Sequence, residues 1–169
     1  MELQTRHNPM QVEAFVDGES AGKVTDLTPS DYKTWLQRWL IELNPKLLPI
    51  NAYEVGLRLT DDATIQQLNS DYRQKNKPTD VLSFAALETT LPGADDLYQE
   101  QPIYIGDIII SIETATRQAV KAEHSLAQEV AWLTAHGLLH LLGWDHPDDD
   151  SLEQMLDQQA HLLSLVSIS

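Results

Sequence analysis

"HGLLHLLGWDH", residues 136–146, carries three of the chain's six histidines, spaced four and then six residues apart. It closes a longer run, "SLAQEVAWLTAHGLLHLLG" (125–143). In that run Ala127, Val130, Ala131, Leu133, Ala135, Leu138, Leu139, Leu141 and Leu142 surround a helix with apolar side chains. A helix apolar on every side belongs in an interior. Ser125 followed by Gln128 is a capping-box pattern at its start, and Gly143 suits a left-handed cap at its end.

Outward from this helix the chain alternates. "QVEAFVD" has a strand-like mix, and "TPSDYKTWLQRWLIEL" begins with Thr28 or Ser30 as cap and repeats Trp35, Leu36, Leu40 and Ile41 at helical spacing. "YEVGLRLT" sets Val55, Leu57 and Leu59 against Glu54 and Arg58, the alternation of a half-buried strand. Thr60 and the pair Asp61–Asp62 open a helix with Ile65, Leu68 and Tyr72 on one face, and "NKP" breaks it. "DVLSFAAL" is a strand, "ETTLPGADDLYQEQP" a polar loop, and "IYIGDIIIS" a nearly continuous apolar strand. Ser111 caps the next helix, and "PDDDSLEQMLDQQAHLLSLV" is a final one, with Asp148, Asp149 and Asp150 at its positive end and Met155 in its core stripe. This order predicts one α+β domain, a small sheet with a helical layer over it.

The composition, 42% hydrophobic and 22% charged over 169 residues, fits a globular domain with a real core. No apolar run approaches twenty residues, so no membrane span is expected. "MELQTRHNPMQVEAF" lacks the basic and apolar regions of a secretory signal. The absence of cysteine excludes disulfides and thiolate ligands, is compatible with the cytoplasm, and leaves His, Asp and Glu for any metal. The net charge of −15 argues against tight binding to a nucleic-acid backbone for its own sake. The densest basic cluster is "RQKNK", with Arg73, Lys75 and Lys77, and no Lys or Arg follows Lys121.

Residues four apart on a helix share a face to within about 40° and lie about 6 Å apart along the axis. His136 and His140 can therefore aim at one point, and the turn at Gly143 can return His146 to it. Three imidazoles from one side leave a coordination position open, the arrangement of a catalytic zinc with its activated water. Nickel, cobalt or iron would also accept three such nitrogens. The spacing H-x-x-x-H-x-x-G-x-x-H is that of the metzincin metallopeptidases, whose general base is a Glu directly after the first His. Here that position is Gly137. A helical glycine costs about 1 kcal/mol against alanine, which suggests a need for close approach at the metal. Phosphodiester cleavage depends less on such a base, because the developing charge sits on phosphate oxygens that a metal and an arginine stabilise.

At this point the residues resemble a known family. "HGLLHLLGWDH" resembles the H-G-x-L-H-L-x-G-[YW]-D-H signature of the YbeY family of bacterial metal-dependent endoribonucleases and rRNA maturation factors, with Trp144 where Tyr is commoner. "LNSDYRQKNKPTDVLSF" (68–84) and "GDIIIS" (106–111) match further family segments in the same order. The resemblance implies a small mixed sheet of about four strands, with the metal helix packed centrally in a single domain over residues 1–169. Residues 1–30 and 86–102 match less and are expected to be variable or flexible. It implies His136, His140 and His146 as ligands of one zinc, and Arg73 as a catalytic and substrate-binding residue. It also implies cytoplasmic cleavage of single-stranded rRNA precursors in rRNA maturation and ribosome quality control. The acidic balance suits a weak RNA binder guided by ribosomal or ribosome-associated proteins, with no role for DNA or membrane.

Read from the residues alone, Arg73 is either a phosphate-binding guanidinium or a solvated helix end. Lys75 and Lys77 are candidate substrate contacts whose plainer reading is solvated surface. Asp145 either accepts a hydrogen bond from a ligand imidazole or caps the turn. Asp80 and Asp107 read as strand-end acids, and His124 as surface. Two other readings are a metallopeptidase with metzincin-like histidines, and a non-enzymatic ribosome assembly factor with a structural metal.

Overall fold

The structure, a computed structural model, describes residues 10–18, 27–45, 52–86 and 102–168. Among them are strands β1 (Gln11–Asp17), β2 (Ala52–Thr60), β3 (Val81–Ala85) and β4 (Ile103–Ser111). The helices are α1 (Pro29–Leu43), α2 (Asp62–Arg73), α3 (Ile112–Ala122), α4 (Leu126–Leu141) and α5 (Asp149–Ser164). The expected mixed four-stranded α+β domain is what forms. The sheet order is β1-β2-β4-β3, with β1, β2 and β4 parallel and β3 antiparallel to β4. Most of the polar loop expected at 86–102, and residues 1–9 and 19–26 of the expected N-terminal variable segment, lie outside the described residues. Within that N-terminal segment, 11–17 form β1.

The isoleucine run of β4 reflects its position between two layers. Ile108 and Ile110 belong to the main core, whereas Ile109 joins Ile65 and Leu82 in a second cluster. Successive strand side chains point to opposite faces, so a strand covered on both sides reads as continuously apolar. On one face α4 packs against β3 and β4, and also against α1, α3 and α5. The histidine-bearing helix is thus the central one. On the other face α2 lays Ile65, with Leu68 beside it, over Leu82, Ile109 and Phe84.

Helix ends follow local chemistry. Thr28, not Ser30, caps α1, in a reciprocal capping box with Asp31. Ser125 accepts a hydrogen bond from the Gln128 N–H at the start of α4. At its end Gly143, at φ +98°, donates its N–H to the His140 carbonyl, and Trp144 donates to the Leu139 carbonyl. That is the Schellman pattern in which a glycine reverses the chain.

Two expected core stripes stop short. In α1, Ile41 is 47% exposed, while Tyr32 and Trp39 are fully buried instead. The Trp39 indole N–H donates to the Leu162 carbonyl at 2.7 Å, fastening α1 to α5. In α2, Tyr72 is 65% exposed because the helix is in its last turn there and has passed the edge of the second core. His124 is half-buried, not surface, at 2.6 Å from the carboxylate of buried Glu129. Met155 is fully buried, as its stripe requires.

α2 and α3 are joined at their first turns. Asp62 accepts from the Ser111 hydroxyl at 2.5 Å, the Thr114 hydroxyl at 2.6 Å and Arg117 at 2.8 Å, while its own N–H donates to Glu113. Burial pushes the Asp62 pKa up, but the hydrogen bonds from Ser111, Thr114 and Arg117 outweigh it and leave the carboxyl below its ordinary value. A carboxylate with a lowered native pKa contributes stability that is present above its unfolded pKa, near 4, and lost as pH falls through the native value. Urea unfolding of wild type and Asp62→Asn should therefore differ at pH 6, with wild type the more stable. The gap should narrow as the pH is taken below about 4. A gap independent of pH would rule out this carboxylate as the cause.

Candidate metal centre and its cleft

The three histidines meet as the spacing predicts. His136 and His140 are one turn apart on α4, and their Nε2 atoms are 3.1 Å apart. His146 enters from the turn after Gly143, with its ring centroid 5.6 Å from that of His136 and 5.3 Å from that of His140. One ligand nitrogen from each ring lies within 4.8 Å of the others. Nitrogens about 2.0–2.1 Å from a tetrahedral zinc are about 3.3 Å apart, so this donor set fits a single metal ion after a small adjustment.

The rings are also aimed. His140 Nδ1 is 2.9 Å from the Trp144 carbonyl, which can only accept, so Nδ1 carries the proton and Nε2 keeps the lone pair. The reversal at Gly143 therefore both returns His146 and orients His140. His136 Nδ1 lies 3.0 Å from Gln159 Oε1, on α5. The Gln159 amide N–H donates to the Trp132 carbonyl at 3.3 Å, which turns its oxygen toward His136. His136 accordingly donates from Nδ1 and offers Nε2. Such outer partners fix the tautomer of metal-binding histidines. Burial, then the neighbouring His136 ring, lowers the His140 pKa below its ordinary value. That favours the neutral imidazole a metal requires.

Gln159 was missed in the sequence. It is fully buried in the stripe Met155, Gln159, Leu162 of α5, and a lone amide in an apolar stripe was the signal available. Asp145 serves the turn: its carboxylate accepts from the His146 N–H at 2.8 Å. Asp80 is likewise a strand-start acid, accepting from the Val81 N–H and from Gln118.

The close approach that Gly137 permits is not at the metal, as expected from sequence, but at the sheet. A Cβ there would stand 2.6 Å from Ile108 Cγ2 and 3.2 Å from Ser83 Oγ. The Ser83 hydroxyl donates to the Gly137 carbonyl at 3.1 Å, pinning β3 to α4.

His136 and His140 open into a cleft of about 930 Å³ that Arg73, Lys75 and Lys77 also line, with Tyr72, Phe84 and Trp144. The end of α2 and the turn after it thus bring the basic residues of "RQKNK" to the same cleft as His136 and His140. Arg73 donates one N–H to the Ser83 carbonyl at 2.9 Å, and its guanidinium carbon is 5.9 Å from the centre of the Phe84 ring. Asp145 is the acid on the cleft wall nearest the ligand turn.

Fold and site define a class: an α+β domain whose buried helix and the turn after it gather three histidines that could hold a metal ion, two of them lining an open, partly basic cleft. Comparison with known proteins gives the family. The family model described as Endoribonuclease YbeY matches residues 19–167, and the chain belongs to the YbeY endoribonuclease family. A protein of that name from Nostoc sp. is 54% identical over 93% of this chain and 86% of its own length. One from Picosynechococcus sp. is 51% identical over 94% and 96%. A Thermotoga maritima protein with a known solution structure shares the fold, with a TM-score of 0.55 and 22% identity over 90% of this chain and 87% of its own. Among the described residues no helix is long and apolar enough to cross a membrane.

Proposed function

We propose that the protein is a zinc-dependent endoribonuclease that cleaves single-stranded segments of rRNA precursors in the cytoplasm, in rRNA maturation and ribosome quality control. The observation that supports this reading is the shared cleft, lined by Arg73 together with His136 and His140, two of the three histidines fit for one metal ion. His136, His140 and His146 would hold the ion through one nitrogen each. When bound, zinc supplies the Lewis acidity that makes water nucleophilic near neutral pH and stabilises charge on a phosphoryl oxygen.

The chain's own residues supply the rest. Arg73 spends one N–H on Ser83, which fixes the guanidinium and leaves its other donors for phosphate oxygens. Lys75 and Lys77, exposed on the same wall, add positive charge along the path of the RNA backbone. At a net charge of −15 the protein gains little from long-range attraction to RNA. Ribosomal or ribosome-associated proteins would therefore deliver it to its substrate. The family relationship favours this reading over the peptidase and the non-enzymatic assembly factor.

The test is Arg73→Ala, assayed on a single-stranded rRNA fragment. Cleavage should fall about 10²- to 10³-fold in kcat/KM, with metal content and melting temperature unchanged. Arg73→Lys should recover only part of the loss, because an ammonium cannot bind phosphate through two parallel hydrogen bonds. Unchanged cleavage by Arg73→Ala would remove this residue from the mechanism.

A further inference from the structure

Tyr72 has no part in the function described so far, and its position is unusual. It continues the apolar stripe of Ile65 and Leu68, yet it is 65% exposed. It lines the cleft that holds the histidines. Its ring is held edge-to-face against Phe84, with centroids 5.4 Å apart and planes at 70°. Phe84 in turn lies beneath the Arg73 guanidinium. A large aromatic ring is thus fixed at its base, open to the cleft, and next in sequence to the arginine assigned to phosphate.

We propose that Tyr72 is a stacking platform for one unpaired nucleobase of the substrate, adjacent to the phosphate that Arg73 binds. This rests on the nuclease reading above and deepens it by assigning a residue that selects the substrate. Unstacked bases of single-stranded RNA settle on aromatic faces, whereas a base inside a duplex has both faces already covered. Stacking needs only a π-face, so it suits a site that accepts many sequences. Prior contact with Phe84 means little side-chain freedom is lost when a base arrives. Tyr72 and Arg73 both lie against the Phe84 ring, which places the base platform and the phosphate ligand in one neighbourhood.

The experiment uses a single-stranded oligoribonucleotide of mapped cleavage position, and versions of it abasic at each nucleotide flanking the cleaved bond. With the full-length metal-loaded protein, Tyr72→Ala should raise KM for the intact oligonucleotide about tenfold, the loss falling on KM rather than kcat. Tyr72→Phe, which keeps the ring, should restore KM to near the wild-type value. For wild type, one abasic version should raise KM by a similar factor. On that version Tyr72→Ala should cost nothing further, because the platform and its base are already parted. A wild-type KM for Tyr72→Ala, or losses that multiply on every abasic version, would overturn the assignment while leaving the nuclease reading intact. Wild-type protein that cleaves no RNA would overturn the nuclease reading, and the platform with it.

Discussion

Replacing His140 with alanine should abolish stoichiometric metal binding and reduce RNA cleavage on the order of a thousandfold or more, since charge stabilisation and water activation leave with the metal. His136 and His146 would remain as two donors, too few to retain an ion against chelation, whereas a catalytic site of this kind uses three protein ligands. The fold should survive. α4 is buried through Val130, Ala131, Leu138, Leu139 and Leu141, none of which depends on the ligand ring. His140 itself is only half-buried. The measurements are elemental analysis of protein purified without chelators, circular dichroism, and cleavage of a defined rRNA precursor. If His140→Ala keeps one metal per chain, the three-histidine centre is wrong. If it loses the metal yet cleaves at the wild-type rate, the metal takes no part in the cleavage step.

Gly137→Glu should fail to fold or unfold far below wild type, and should not acquire peptidase activity. The substitution installs the residue that a metallopeptidase with this histidine spacing uses as its base. In this protein that position faces the sheet: the first added carbon would stand 2.6 Å from Ile108. A carboxylate forced between α4 and β4 would be buried without a partner, at a cost of about 3–5 kcal/mol, out of a total stability of about 5–15 kcal/mol. Gly137→Ala gives the graded version. Overpacking costs about 1–3 kcal/mol and is partly offset by about 1 kcal/mol of helix propensity, so its urea midpoint should fall modestly. A soluble, well-folded Gly137→Glu variant that hydrolyses unstructured peptides would show that little separates the two chemistries here. A folded and inactive one would show that the sheet can yield.

The histidine site was legible because its determinants are local. A four-residue helical interval and a glycine reversal before the third histidine are readable without knowing what surrounds them. Arg73 was legible only as one of two readings, since a cation at a helix end looks the same whether it meets solvent or a cleft. What decided its place was β3 passing beneath it to supply the Ser83 carbonyl and the Phe84 ring, a contact between separate elements. Long-range determinants were misread or unseen for the same reason. Gly137 was rightly read as marking a close approach, but the partner is Ile108 across the layer. Tyr72 and Ile41 continue helical stripes past the point where anything covers them. The joint at Asp62 depends on Ser111, Thr114 and Arg117, about fifty residues away.

The hydrogen bond from His136 to Gln159 bears on how the protein matures. All three histidines are in the chain once residue 146 is made, but the group that turns the His136 ring belongs to α5 and is not yet present. The last helix must be synthesised and docked on α4 before the metal-binding geometry is complete. A chain that stops short of Gln159 therefore carries every ligand but lacks the group that fixes which nitrogen His136 offers.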